Sequence, residues 1–173
     1  HRTPALVGRP RHAAGMSAAG IKLPDSILVL ERGWLSSNNI IFYEGETAAL
    51  VDSGYVSHAA QTLALLERAL GGRTLTRLIN THSHSDHIGG NAAVQASFHC
   101  HITVPQGIAA TIAEWDEAAL LLSPLGQRAA RFTHDATYTC GDEFSFGDLN
   151  WRALAVPGHD MDALALYNAE ERI

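Results

Sequence analysis

Thr81-His82-Ser83-His84-Ser85-Asp86-His87 is the stretch that decides both the fold and the chemistry of this sequence. It follows an apolar run at residues 75–80 that predicts a strand. Residues i and i+2 of an extended segment point the same way, so His82 and His84 can offer two imidazoles to one cation. Asp86 and His87 follow at the predicted start of a helix. These four candidate ligands lie within six residues, close enough to serve two adjacent metal ions.

The alternative is a polar loop in which the histidines are incidental. Burying three imidazoles and a carboxylate without a cation would leave several polar groups unsatisfied, which is costly. The cluster therefore favours a metal site at the end of a strand.

The segments before the cluster alternate between strand and helix patterns. Three short apolar runs, at residues 26–31, 39–43 and 47–51, predict a meander of strands. Apolar residues at helical spacing over 56–70 then predict an amphipathic helix, which Gly71-Gly72 closes. Strands first alone and then alternating with helices predict an α/β (α+β layered) sheet with helices on the outside.

Downstream of the cluster the same patterns continue. Trp115 and the apolar run 118–122 could form a lid over the site, but a core-packing helix is the interpretation we favour. The predicted elements are a helix at 89–96, a strand at 97–104, helices at 105–122 and 127–132, strands at 143–146, 149–156 and 164–167, and a final turn at 168–171.

Composition excludes several classes of protein. The 173 residues predict one domain, and 12 Lys plus Arg against 18 Asp plus Glu give a net charge of −6. This charge repels phosphate backbones, so we expect no nucleic-acid partner. No run of eighteen apolar residues is present, so we expect no membrane span. Two cysteines without CxxC spacing indicate a reducing compartment, and we expect a cytoplasmic protein.

Residues 1–15 differ in composition from everything after Met16. They contain three arginines, two prolines and no acidic residue. We expect 1–15 to be a disordered tail or upstream residues, and 16–173 to be the folded domain.

The motif HxHxDH after an apolar strand resembles the signature of the metallo-β-lactamase superfamily. Residues 50–54, Leu-Val-Asp-Ser-Gly, resemble its acidic turn, and residues 156–159, Val-Pro-Gly-His, resemble its Pro-Gly-His turn. The resemblance implies a four-layer αββα sandwich. It also implies roles for five side chains: His82, His84 and His159 as ligands of a first zinc, and Asp86 and His87 at a second metal position, with Asp86 also orienting hydroxide or carrying its proton.

Asp52 has two interpretations. It holds the ring N–H of a ligating imidazole, or it caps the helix that begins near Tyr55. Asp160 and Asp162 are interpreted as loop acids at the mouth of the cleft. The remaining histidines considered are expected to be structural or exposed: His58, His99, His101 and His134.

The family pattern continues beyond the Pro-Gly-His turn with an aspartate that bridges two metals and a final histidine. This chain stops at Ile173 before both, so we expect the C-terminal part of the sandwich to be absent. Two zinc ions are expected for a complete domain, and at most one well-formed site here. The exposed strand edge that results favours a homo-oligomer.

The function implied by the resemblance is zinc-dependent hydrolysis of a small acyl substrate. Metal-bound hydroxide would attack the carbonyl of an ester, thioester or lactone. An iron-dependent oxygenase of the same fold is the first alternative, because histidine and carboxylate ligands also suit iron. A catalytically inactive truncated fragment is the second.

Overall fold

Two β-sheets form the framework of the protein in the computed structural model, which describes residues 22–34 and 36–173. The tail predicted at 1–15 lies outside the described residues. In the larger sheet the strands lie in chain order from β1 to β6, antiparallel among the first three and parallel from the third onward. The strands are β1 (Ile27–Leu30), β2 (Asn39–Glu44), β3 (Thr47–Val51), β4 (Thr74–Ile79), β5 (His101–Pro105) and β6 (Ala136–Tyr138).

The smaller sheet is antiparallel throughout. It consists of β7 (Glu143–Phe146), β8 (Leu149–Ala155) and β9 (Leu164–Tyr167), in that order. The backbone N–H of Leu164 donates to the Thr81 carbonyl at 3.0 Å, which joins this sheet to the chain just after β4.

Helices make the crossovers that parallel strands require. They are α1 (Ala59–Leu70), α2 (Ser85–Ile88), α3 (Asn91–Phe98) and α4 (Ala109–Glu114), with 3-10 turns at Val56–His58 and Gln106–Ile108. The first of them, α1, ends at Gly71, whose φ of 58° suits the left-handed conformation that glycine adopts without strain. Within the described residues no helix is long and apolar enough to cross a membrane.

Two hydrophobic cores hold the layers together. The first lies between the helices and the larger sheet and contains Leu66, Val94 and Ile112. The second lies between the two sheets, where Phe42 of β2 stacks on Phe146 of β7 with ring centroids 4.4 Å apart. One layer of helices and two layers of sheet make up three of the four layers of the predicted αββα sandwich. This arrangement confirms the predicted fold class.

The helix predicted at 89–96 begins two residues later, at Asn91, because Gly89 and Gly90 separate α3 from the short α2. A Cβ on Gly89 would lie 2.5 Å from the backbone nitrogen of Val56, and one on Gly90 would overlap the carbonyl of Ser53. Because neither residue has a side chain, α2 and α3 pack closely against the turn that follows β3. The N–H of Ser53 accordingly reaches the His87 carbonyl at 2.8 Å.

The predictions for 97–132 are partly wrong. The strand predicted at 97–104 begins only at His101, because α3 continues to Phe98 and His99 ends it with a φ of 53°. His99 is therefore a helix terminus and not a strand residue. The helix predicted at 105–122 stops at Glu114, because Trp115 takes a left-handed φ of 59°.

Beyond Trp115 the chain runs through turns. Asp116 Oδ1 accepts the backbone N–H groups of Ala118 and Ala119, a local bond that competes with helix continuation. The helical stretch predicted at 127–132 has no regular structure, and the three-residue strand β6 was not predicted. The Trp115 ring packs edge-on against Phe132 with centroids 5.8 Å apart, so it contributes to the core without belonging to a long helix.

Candidate metal centre

Three histidines from two separate parts of the chain meet at the ends of the strands. His82 and His84 follow β4, and the extended backbone of His84 (φ −67°, ψ 148°) leads directly into α2. His159 comes from the loop between β8 and β9, which the Leu164 to Thr81 bond holds beside them. One nitrogen from each of the three rings lies within 4.8 Å of the others. The trio is a candidate metal site made of imidazoles, the ligand type that zinc prefers together with thiolate.

The chemistry of the trio fits a cation. His82 Nε2 is buried and has no hydrogen-bond partner among the described residues. Burial lowers the pKa of His82 to about 4 and also lowers the pKa of His84. Both rings are therefore neutral near pH 7, with a lone pair free for a metal. His84 Nδ1 and His159 Nε2 lie 2.7 Å apart, within hydrogen-bond distance of each other.

Asp86 and His87 lie beside this trio at the start of α2. The ring of His87 packs against that of His82 with centroids 3.9 Å apart. Its Nε2 lies 3.5 Å from Asp86 Oδ2, so the two residues face a common point next to the trio. Both residues therefore lie next to the trio, and their role as ligands of a second metal stays a prediction.

Asp52 is the residue that holds His87 in place. Its backbone takes a left-handed φ of 56°, a conformation that aspartate tolerates better than most residues. Its Oδ2 accepts the His87 Nδ1–H at 2.7 Å and the Thr81 hydroxyl at 2.8 Å, and its Oδ1 accepts the Thr81 N–H at 3.0 Å. Burial lowers the pKa of His87, but the hydrogen bond and charge of Asp52 outweigh it and the net shift is upward.

Capping, the other interpretation of Asp52, has no support in the structure. The residues that precede the 3-10 turn and α1 are Tyr55 and His58, and neither end has a side-chain cap bond. The carboxylate points instead at the histidine cluster.

Sequence analysis missed the polar side chains that surround Asp52. Thr81 touches Asp52, His82 and His87, and the buried amides of Asn80 and Asn91 lie behind it. Their position in the sequence could have indicated this role: Asn80 and Thr81 directly follow a strand and precede the histidines, where a buried polar side chain needs a partner.

A cavity of about 290 Å³ opens beside His84 and His159. Asp160 and Asp162 line it, as interpreted from the sequence. Leu121 also lines it, whereas its neighbours Leu120 and Leu122 are buried in the core. Alternate side chains of the segment at 118–122 thus face the cavity and the core, but the segment is a run of turns and not the helix predicted for it, and a lid role stays a prediction.

A second, apolar cavity of about 460 Å³ lies between the two sheets and reaches His82 and His159. The other histidines of the described residues do not belong to the trio. Of these, His101 has a partner in Asp135, whose Oδ1 is 3.5 Å from its Nδ1.

Two packed sheets with helices on one of them, and three histidines converging at the strand ends, define a layered α/β protein with a candidate metal centre. Residues 32–173 match the family model described as the Metallo-beta-lactamase superfamily. The chain belongs to this superfamily, which confirms the resemblance drawn from HxHxDH.

Curated relatives carry the name hydroxyacylglutathione hydrolase. The chain is 32% identical over 114 residues to the one from Rhodopseudomonas palustris strain HaA2, covering 66% of this chain and 36% of that protein. It is 35% identical over 107 residues to the one from strain BisB18, covering 62% of this chain and 34% of that protein. The chain therefore spans about a third of the length of these relatives.

Solved structures support the fold. A metallo-β-lactamase mutant from Cronobacter sakazakii superposes with a TM-score of 0.69 at 22% identity, over 82% of this chain and 55% of that one. A class B3 di-zinc metallo-β-lactamase, LRA-12 from an Alaskan soil metagenome, gives a TM-score of 0.67 at 18% identity, over 83% of this chain and 54% of that one.

Proposed function

We propose that the protein is a zinc-dependent hydrolase in which His82, His84 and His159 hold a first zinc ion. The observation that carries the proposal is the trio itself: three imidazoles converge, and the buried Nε2 of His82 has no other partner among the described residues. Asp86 and His87 are proposed as ligands of a second zinc. The di-zinc description of LRA-12, which shares the fold, supports two metal positions.

Zinc bound here would acidify a water molecule to a pKa of about 7 and polarise a substrate carbonyl. The chain's own residues prepare the site for that chemistry. Burial keeps His82 and His84 neutral. The carboxylate of Asp86 lies next to His87 Nε2 and remains partly exposed, so it can orient water or hold a proton at Oδ2.

The proposed substrate is a small acyl compound with a thioester carbonyl, and next an ester or lactone. The name shared by the curated relatives, hydroxyacylglutathione hydrolase, supports a thioester. The cavity of about 290 Å³ beside His84 and His159 gives a small substrate access to the proposed metal position. A cytoplasmic location and the absence of nucleic-acid and membrane partners are part of the same proposal.

The test is metal analysis and hydrolysis by the purified protein, comparing wild type with the His82→Ala/His84→Ala double variant. We expect zinc in the wild type, turnover of thioesters, and loss of both in the variant while the sheets stay folded. His101→Ala is the matched control, because His101 is exposed and outside the trio.

Three other results would each contradict part of the proposed function. Turnover by a metal-free double variant would refute the metal assignment. Iron in place of zinc, with oxygen consumption, would favour the oxygenase. Zinc binding without hydrolysis of any acyl substrate would favour an inactive protein.

A further inference from the structure

The hydroxyl group of Thr81 lies between Asp52 and His82. Its Oγ1 is 2.8 Å from Asp52 Oδ2 and 3.0 Å from His82 Nδ1. A hydroxyl has one proton to donate, whereas an ionised carboxylate only accepts. The Thr81 proton is therefore directed to Asp52, and the lone pairs of Oγ1 are left to accept a hydrogen bond from His82 Nδ1–H.

This arrangement determines which ring nitrogen of His82 carries the proton. With Nδ1 protonated, Nε2 of the neutral ring has a free lone pair, and this is the buried atom without a hydrogen-bond partner among the described residues. His87 follows the same rule directly, because its Nδ1 lies 2.7 Å from Asp52 Oδ2. In the neutral form of each ring, Nε2 is then the nitrogen with the free lone pair.

We propose that Thr81 is a positioning residue that extends the control of Asp52 from His87 to His82. One carboxylate thereby fixes the proton position on two histidines, one at each of the metal positions described above. The assignment of these rings to metals rests on the proposed function. The position of the proton does not, because it is a property of the metal-free protein.

The buried amide side chains of Asn80 and Asn91 hold the Asp52 carboxylate in position. Asn91 Nδ2 donates to Asn80 Oδ1 at 2.7 Å, and Asn80 Nδ2 is 3.3 Å from Asn91 Oδ1, so the two amides bond reciprocally. Asn80 Nδ2 also lies 3.4 Å from Asp52 Oδ1. Both asparagines are fully buried, so no solvent competes for these bonds. The carboxylate that orients the histidines is itself fixed.

The test compares Thr81→Val with Thr81→Ser in the full-length protein. Valine keeps the shape of threonine without the hydroxyl, and serine keeps the hydroxyl. Nitrogen-15 NMR of the histidine rings in the metal-free protein reports which nitrogen is protonated, and zinc titration reports affinity. For Thr81→Val we expect the His82 proton to move to Nε2 while His87 is unchanged, and the affinity of the three-histidine position to fall by about tenfold. Thr81→Ser should match the wild type in both measurements.

The proposal is overturned if His82 in Thr81→Val keeps its proton on Nδ1, or if valine and serine variants bind zinc equally well. Should the valine variant not fold, the wild type alone decides: His82 protonated on Nε2 in the metal-free protein overturns the proposal. Correct ring protonation in a protein that binds no zinc would instead refute the proposed function and leave the role of Thr81 standing.

Discussion

Replacing Asp52 by asparagine should weaken metal binding more than it weakens the fold. The carboxylate accepts three short hydrogen bonds, from the Thr81 N–H, the Thr81 hydroxyl and the His87 ring. An asparagine side chain has one oxygen and one NH₂ group, and the NH₂ cannot accept. Whichever way the amide is turned, at least one of these donors loses its acceptor.

The expected losses of stability and of metal affinity follow from the number of donors that lose an acceptor. A buried donor left without an acceptor costs about 1–3 kcal/mol. If the NH₂ faces His87, the ring must accept at Nδ1 and carry its proton on Nε2, which removes the lone pair proposed for the metal. Loss of a residue that orients a metal ligand typically lowers metal affinity or activity by about 10 to 100-fold.

The assay is zinc titration of the full-length Asp52→Asn protein, with the free energy of unfolding measured separately by denaturant. Asp135→Asn is the matched control, because Asp135 also accepts from a backbone N–H, that of Ile102, and lies beside a histidine outside the trio. We expect the control to lose some stability and to keep its zinc affinity. Equal zinc affinities for the wild type and Asp52→Asn would refute the reasoning.

Two further predictions concern pH and packing. Because burial lowers the pKa of His82 to about 4, the unfolded chain binds the proton first, so the free energy of unfolding of the metal-free protein should fall as the pH drops from about 6.5 towards 4. His82→Gln should flatten that part of the profile in a denaturant series. Gly107→Ala should cost about 1–3 kcal/mol of unfolding free energy and weaken zinc binding, because a Cβ there would lie 3.0 Å from the Cβ of Asp162, in the loop that carries His159. Gly33→Ala, where the added atom meets nothing, is the control, and equal zinc affinities for both variants would contradict the packing argument.

The strongly periodic parts of the sequence predicted the structure well, and the parts governed by single backbone conformations did not. The helix predicted at 56–70 is present as a 3-10 turn followed by α1, because its apolar spacing buries one face against the sheet. The helix predicted at 105–122 ends before Trp115, because Trp115 adopts a left-handed backbone conformation that no local sequence pattern indicates. The strand β6 was missed because three residues are too few to show alternation.

Some features of the candidate site could likewise be predicted from the sequence, and others could not. The spacing of His82 and His84 on an extended segment follows from strand geometry alone. The convergence of His159 depends on a bond between the sheets, from Leu164 to Thr81, that lies far along the chain from the motif. The contacts of Thr81 depend on the proximity of Asp52, which only the fold creates.

The origin of the three histidines in different parts of the fold has a mechanical consequence. His82 and His84 extend from the larger sheet, and His159 extends from the smaller one. A cation bound by all three would therefore cross-link the two sheets at the ends of their strands. Ligand binding to the folded state alone stabilises that state in proportion to the logarithm of ligand concentration over Kd. If the proposed metal site is correct, metal concentration would control the stability of the packing between the two sheets, and the stability of the fold and its activity would rise and fall together.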